Sequence, residues 1–150
     1  MIRTALVSTA LIAGLLVASR ADARPPVSVG QAAQATAADA APFLGDWTLA
    51  LQGPNGPGSF TLSVKVDKEK DKVVGEIGNE AMPTQPITSI SKVDKSLVLS
   101  YSFTWEGNPV GAVVSLMPAA EGKVNAQIDF AGGAYVMSGT ATKKEKDKDK

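Results

Sequence analysis

A period of two in the apolar residues constrains this chain more than any other feature. From Trp47 onward, large apolar side chains alternate with polar ones in short runs, as in residues 60–66 and 97–105. This alternation indicates strands with one buried face, because successive side chains of a strand point to opposite sides. A helix would show a period near 3.6 instead. The sequence therefore predicts an all-β domain.

Eight such runs follow one another at a regular spacing. Their inward faces begin about 12.6 positions apart on average, which leaves room for turns but none for crossover helices. Eight sequential antiparallel strands, each with one apolar face, close most simply as an up-and-down barrel. A two-sheet β-sandwich is the alternative architecture. The first inward residues are Trp47, Phe60, Val73, Ile87, Leu97, Val110, Val124 and Tyr135.

Three stretches depart from this regularity. Residues 53–58 contain three glycines and two prolines, which predicts a long loop between the first two strands. Residues 78–83 are interpreted as a second loop. In the fourth run, residues 87–93, Ile87 and Ile90 stand three positions apart, and a β-bulge would explain the slip in alternation.

The beginning of the chain has the form of a secretory signal peptide over residues 1–23. Arg3 precedes an apolar run over residues 5–18, and Ala21-Asp22-Ala23 fits a cleavage site. The apolar run is shorter than the ~20 residues of a transmembrane helix. We therefore expect an exported protein, periplasmic or secreted, without stable membrane insertion after cleavage.

Two further segments flank the predicted domain, which spans residues 43–142. Residues 24–42 are rich in alanine and proline and lack large apolar side chains near the domain, which predicts a mobile linker with some helical tendency. Residues 143–150 carry five lysines and three acidic residues, which predicts a charged, disordered tail.

Composition removes several classes of site. The chain has no cysteine and no histidine, so disulfides, thiol nucleophiles, imidazole bases and nearly all transition-metal sites are ruled out. Residues 24–142 carry 8 basic and 11 acidic residues, a balance that argues against nucleic-acid binding. No two carboxylates occupy inward positions, so acid/base catalysis has no candidate pair. We expect a non-enzymatic protein with no cofactor and no metal.

Aromatic residues are predicted to gather at one end of the barrel, called the rim here. In an up-and-down order, odd strands finish at the rim and even strands start there. Trp47 lies at the opposite end of the barrel, called the base. We predict that a small apolar or aromatic ligand binds at the rim, with the loop 53–58 as a lid. Alternatively, the same rings fill the barrel as ordinary core. The candidate ligand-binding residues are Phe60, Tyr101, Phe103, Trp105, Phe130, Tyr135 and Met137.

The start of the first strand resembles a known family. Gly45-x-Trp47, opening an eight-stranded meander, is similar to the start of lipocalin and calycin barrels. The resemblance implies a tryptophan that closes the base against a basic residue of the last strand. Lys143 or Lys144 would supply that cation in place of the usual arginine. It also implies binding of small apolar molecules.

A protein-interaction role is the alternative function. A Gly-x-Trp barrel with an N-terminal arm is also similar to secreted inhibitors of bacterial metalloproteases, whose arm enters the enzyme. The disulfide expected in that family is missing here, since the chain has no cysteine. On this hypothesis the partner is a protein, contacted through the arm 24–42 or the loop 53–58.

Overall fold

Nine antiparallel strands account for most of residues 33–145, the part of the chain that the computed structural model describes. The predicted signal peptide, residues 24–32 and residues 146–150 lie outside this part. The chain runs through α1 (Ala37–Ala40), a 3-10 turn (Ala41–Phe43), β1 (Gly45–Gly53), β2 (Gly56–Asp67), β3 (Lys72–Asn79), β4 (Met82–Pro86), β5 (Ser89–Val93), β6 (Ser96–Trp105), β7 (Asn108–Pro118), a second 3-10 turn (Ala120–Gly122), β8 (Val124–Phe130) and β9 (Tyr135–Lys143).

All nine strands belong to one sheet, in the order β4-β3-β2-β1-β9-β8-β7-β6-β5. Strands that follow one another in the chain are neighbours in the sheet, except β4 and β5, and β1 also pairs with β9, from Trp47 opposite Lys143 to Gln52 opposite Ser138. The all-β prediction and the sequential antiparallel order are confirmed. The sheet is not closed, however, and it has nine strands rather than eight, with β4 and β5 as its edges.

The ninth strand arises where the chain passes between the two edges of the sheet. The backbone N–H of Ile87 donates to the carbonyl of Gly75 on β3, at 2.8 Å. The next N–H, that of Thr88, donates to Ser100 on β6, also at 2.8 Å. Two successive residues thus bond to β3 and β6, the strands next to the two edges of the sheet. The poor alternation of the fourth run marks this crossing rather than the β-bulge predicted there.

The loop predicted for residues 78–83 is shorter than expected. β3 runs to Asn79 and β4 begins at Met82, so only a tight turn separates them. The Asn79 side-chain oxygen accepts the backbone N–H groups of Ala81 and Met82, at 3.0 and 2.7 Å. An asparagine that bonds two residues ahead in this way favours a turn. The register of this hairpin shifts between Ile77 and Asn79.

The Gly/Pro-rich stretch after β1 forms a tight hairpin, so the long loop predicted for residues 53–58 is wrong. β1 and β2 stay paired up to Gly53 opposite Gly56, which leaves Pro54-Asn55 as the turn. Pro57 is tolerated inside β2 because β3 pairs with β2 only further along, so this part of β2 has one neighbour within the described sheet. No lid is available here.

The inward faces of the strands form one apolar core, as the alternation predicts. On β7, where both faces are apolar and the pattern alone does not choose between them, Ala112, Val114 and Leu116 point inward. Full burial of each leucine, isoleucine or valine contributes roughly 1.5–3 kcal/mol relative to exposure. The largest fully buried side chains are Leu49, Leu51, Leu62, Val64, Ile77, Leu97, Leu99, Val114, Leu116 and Ile128.

The end of the predicted linker packs against the sheet. Gln34 forms a bridge with Ser91, and the N–H of Ala35 donates to the carbonyl of Ile90 at 2.9 Å. This segment therefore covers part of the free edge of β5. Ala35 and Ala40 are both buried. Alanines pack closely here because they are small, so the lack of large apolar residues does not make residues 33–42 a mobile spacer.

The short helix α1 is held by polar contacts at its start. The Thr36 side chain accepts the N–H of Asp39, and the Asp39 carboxylate accepts the N–H of Thr36 in return. The same carboxylate forms an ion pair with Lys92 of β5 at 2.9 Å. This capping box satisfies two backbone donors that a helix start leaves open, and the ion pair fixes α1 to the sheet edge.

Candidate functional site

Five of the predicted site residues form an aromatic cluster at the rim, the end of the sheet where β6 and β8 finish. Phe130 is its centre, with ring centroids 6.4 Å from Phe60, 6.0 Å from Phe103 and 5.8 Å from Tyr135. Tyr101 joins through Phe103 at 6.1 Å. The Phe103–Phe130 pair meets edge to face at 89°, a favoured geometry for aromatic rings.

The pairing of the strands explains why these rings meet. Phe130 and Tyr135 lie opposite each other at the β8–β9 hairpin, and Ala112 on β7 lies opposite Phe130 on the other side. The small alanine leaves room for the ring of Phe103, which approaches from β6. The rim gathering that the strand order predicts is therefore present for Phe60, Phe103, Phe130 and Tyr135, and Tyr101 joins them from the interior of β6.

Met137 lies beside the aromatic cluster and is buried. A Cβ atom placed on Gly58 would sit 2.7 Å from the Met137 methyl group, and one on Gly53 would sit 2.8 Å from both Met137 Cγ and the Tyr135 hydroxyl. These two glycines therefore leave the space that Met137 and Tyr135 occupy. The hairpin is part of the wall of the cluster instead of a cover above it.

Trp105 does not join the other predicted site residues. Its side chain is 58% exposed, and its ring stacks on none of the aromatic rings in the described chain. It forms the last pair of the β6–β7 ladder, opposite Asn108. The strand order places Trp105 at the correct end of the sheet, but its position beside the turn leaves it in solvent.

The hydroxyl of Tyr101 is the most unusual polar group of the interior. The residue is 2% exposed, and its oxygen has no hydrogen-bond partner among the described residues. Burial raises the pKa of Tyr101 to about 12, because the phenolate is poorly solvated there. A buried hydroxyl without a partner costs about 1–3 kcal/mol. Ser63 and Asp129 also hold buried unpaired oxygens, but both residues are only half-buried and occupy outward positions.

A cleft opens beside the cluster, between β4 and the rim ends of β6 and β7. β5 pairs with β6 only as far as Ser100, so the rim half of β6 has no partner on that side within the described sheet. Phe103 belongs both to the cluster and to the wall of this cleft, and it links the interior to the surface. The cleft measures about 290 Å³ and is lined by Met82, Pro83, Gln85, Ser102, Phe103, Thr104 and Pro109.

The base of the sheet, where β1 begins and β9 ends, is organised around Trp47. This residue is 4% exposed, and its indole N–H donates to the carbonyl of Phe43 at 2.7 Å. The Lys143 ammonium lies 5.8 Å from the ring centroid, within the range of a cation–π contact. The cation that the resemblance assigns to the last strand is thus present, and it is Lys143.

The glycine of the Gly45-x-Trp47 motif has a physical reason. Gly45 has a φ of +122°, which side chains rarely adopt. A Cβ atom there would also lie 2.7 Å from Lys143 Cε. Glycine at this position therefore lets the lysine stem cross β1 and place its ammonium over Trp47.

A second concave surface, the base groove, lies next to this contact, with a volume of about 1170 Å³. The groove is not predicted from the sequence, because Lys143 and Lys144 belong there to the expected disordered tail. In the structure β9 runs to Lys143, and the N–H of Lys144 donates to the carbonyl of Asp46 at 2.7 Å. The signal in the sequence is that lysines follow the inward valines at the end of β2. The base groove is lined by Leu44, Gly45, Asp46, Val64, Lys65, Val66, Lys68, Lys143, Lys144 and Glu145.

The two segments assigned to protein interaction are not free arms in this structure. Residues 33–42 pack on the edge of β5 and at the base, and residues 53–58 are held in the β1–β2 hairpin. Residues 24–32 of the predicted arm lie outside the described chain. A role in contacting a protein stays a prediction.

Between residues 33 and 145, no group of three or more acidic side chains is placed to hold a metal ion. The only α-helix in that range, α1, is far too short to cross a membrane. Comparison with family models, with curated proteins and with solved structures finds no match. The relation to lipocalins therefore stays a prediction from Gly45-x-Trp47.

Proposed function

We propose that this is an exported, non-enzymatic binding protein that holds a small apolar or aromatic ligand against the aromatic cluster. The observation that carries the proposal is the unpaired Tyr101 hydroxyl. It is the polar group of an otherwise apolar, aromatic interior, and such a combination is typical of ligand pockets. A ligand carbonyl or hydroxyl would accept its hydrogen bond, while ligand carbon would contact the phenylalanine rings.

The proposal includes a finer architecture for the sheet, an up-and-down barrel whose seam is formed by β4 and β5 together. The hydrogen bonds of Ile87 to β3 and of Thr88 to β6 support this, because the segment that joins β4 to β5 then contacts both ends of the sheet. The contact of Lys143 with Trp47 is a further feature in common with lipocalin barrels. In this architecture the cleft beside Phe103 is the gap through which a ligand reaches the cluster.

A matched pair of ligands tests the role of Tyr101. 2-Acetylnaphthalene has a carbonyl acceptor, and 2-ethylnaphthalene has the same ring and similar size without one. Tyr101→Phe should weaken binding of the ketone by about tenfold and leave the hydrocarbon unchanged, because it removes one buried hydrogen bond. Equilibrium dialysis measures both affinities. Equal weakening of the two ligands, or no binding of either by the natural chain, would contradict the proposal.

A second pair of variants locates the ligand. Phe103→Ala should weaken binding of both naphthalenes by about tenfold, since a ring that contacts the ligand is lost. Trp105→Ala is the control, because that ring lies outside the cluster and should change binding by less than about twofold. Circular dichroism establishes that each variant is folded. An equal loss in both variants would place the ligand elsewhere.

A further inference from the structure

The base groove plays no part in the proposed function, yet its lining residues are of a kind that binds ligands. It lies at the opposite end of the sheet from the aromatic cluster and combines an apolar floor with a lysine rim. We infer that it binds a long-chain carboxylate, with the alkyl chain on Leu44 and Val66 and the carboxylate between the lysines.

The groove exists because the strands at the base end at different levels. β1 begins at Gly45 opposite Val64, whereas β2 continues to Asp67 and β9 is followed by Lys144, whose N–H donates to the carbonyl of Asp46. No strand fills the space between the end of β2 and the end of β9 in the described sheet. The result is a notch about one strand wide, roughly the width of a single alkyl chain.

The floor of this notch is apolar for a reason that comes from the alternation of β2. Val64 and Val66 are inward positions: Val64 is fully buried beneath the floor, and Val66 is half-buried and forms part of its surface. Leu44, just before β1, is half-buried and closes the same floor. Apolar side chains that are only partly covered gain from contact with a ligand chain. An inorganic anion would not use this floor.

The rim of the groove favours a negative charge. It carries Lys65, Lys68, Lys143 and Lys144 against two carboxylates, those of Asp46 and Glu145. None of these four lysines forms an ion pair with an acidic side chain within residues 33–145. A carboxylate at the mouth of the groove therefore meets unneutralised ammonium groups, with the apolar floor beside it.

Trp47 provides a reporter for this site. Its ring lies under Lys143, so an anion that draws the ammonium away changes the surroundings of the indole. The chain has two tryptophans, and Trp105→Phe leaves Trp47 as the only one. In this background, decanoate should change the Trp47 emission saturably below its micelle concentration. 1-Decanol, with the same chain and no charge, should bind about tenfold more weakly, because it lacks the ionic contacts.

Charge-matched variants assign the contact to the groove. Lys65→Gln with Lys68→Gln should weaken decanoate binding by about tenfold, since two partly screened lysine–carboxylate contacts are lost. Lys95→Gln with Lys123→Gln makes the same change of net charge outside the groove and should alter binding by less than about twofold. All four side chains are exposed, so the variants are expected to fold.

Three outcomes would overturn the inference: equal affinity for decanoate and 1-decanol, equal loss in the two double variants, or a response that begins only where decanoate forms micelles. The experiment is independent of the proposed function. The naphthalene ligands report on Tyr101 and Phe103 at the rim, and decanoate reports on the lysines at the base. A failure of decanoate binding would therefore not contradict the naphthalene site, and a failure of naphthalene binding would not contradict the base groove.

Discussion

The rim and the base of the sheet are closed in two different ways. At the rim, five aromatic rings contact one another at 5.8–6.4 Å, and the one fully buried hydroxyl among them has no partner in the described chain. At the base, Trp47 has a hydrogen-bond acceptor in Phe43 and a cation in Lys143. Directional contacts thus define the base, and ring packing alone defines the rim.

The difference suggests that the base contributes mainly to the stability of the fold and that the rim can adapt to a ligand. Hydrogen bonds and cation–π contacts have a preferred geometry, so they select one arrangement of the base. Aromatic pairs also prefer certain orientations, but they keep them over a range of centroid distances of about 4.5–7 Å, so the rings tolerate small shifts. We therefore expect changes at the base to cost mainly folding free energy, and changes at the rim to act mainly on ligand binding.

The largest effect is expected at Trp47. Trp47→Ala should lower the free energy of unfolding by about 3–5 kcal/mol, because it removes a buried ring and leaves a cavity at the base. Urea denaturation followed by circular dichroism measures the change. Trp105→Ala is the matched control, and it should stay within about 0.5 kcal/mol because the ring is exposed. Similar losses in the two variants would remove the distinction between base and rim.

Two glycines sharpen the comparison at a smaller scale. Gly45→Ala should lower the free energy of unfolding by about 1–3 kcal/mol, since a positive φ is strained for alanine. Gly53→Ala at the rim should cost less, because its φ is not positive and the atoms in the way are side chains of Met137 and Tyr135. Thermal and urea unfolding rank the two variants. A greater loss at Gly53 would mean that the rim, and not the base, requires the more specific backbone.

The smallest effect concerns the segment that covers the base. A hydrogen bond from Lys92 and one from the Thr36 backbone lower the pKa of Asp39 to about 2, against an ordinary value of 3.8. The lowered pKa means that this contact stabilises the fold above about pH 4 and is lost as the pH falls towards 2.

We expect the amide resonances of Ala35 and Ala40 to shift in that pH window as the segment loosens, while that of Leu116, whose strand partners Leu97 and Ala126 carry no carboxylate, stays constant. NMR spectra recorded between pH 5 and pH 2 measure this. Asp39→Asn should abolish the pH response, and Glu121→Gln, at an exposed turn, should leave it intact. A response that survives Asp39→Asn would assign it to another group.

Much of this arrangement could be predicted because alternation fixes which side chains point inward. The strand order predicts four of the five rings of the aromatic cluster, and the resemblance at Gly45 predicts Lys143 or Lys144 as the cation beside Trp47. The exposure of Trp105 could not be predicted, since alternation gives the face of a residue but not how far its strand extends beyond its neighbours. The base groove was missed for the same reason.

The errors at Pro57 and Ala35 have a different origin. Proline and glycine argue against a paired strand only where both sides of the strand have neighbours, and the start of β2 has one. Alanine gives no periodic signal, yet Ala35 and Ala40 pack closely because their side chains are small. In both cases the outcome depends on where another strand lies, β3 for Pro57 and β5 for Ala35, and local composition does not contain that information.

The pairing of β1 with β9 has a consequence for how this chain acquires its structure. Trp47 and Lys143 stand near opposite ends of the described sequence, yet they lie side by side in the sheet. Contacts between such remote positions raise the contact order, and a high contact order slows folding. During synthesis, β1 must wait for β9 with one edge unpaired, so the indole receives its cation among the last contacts to form.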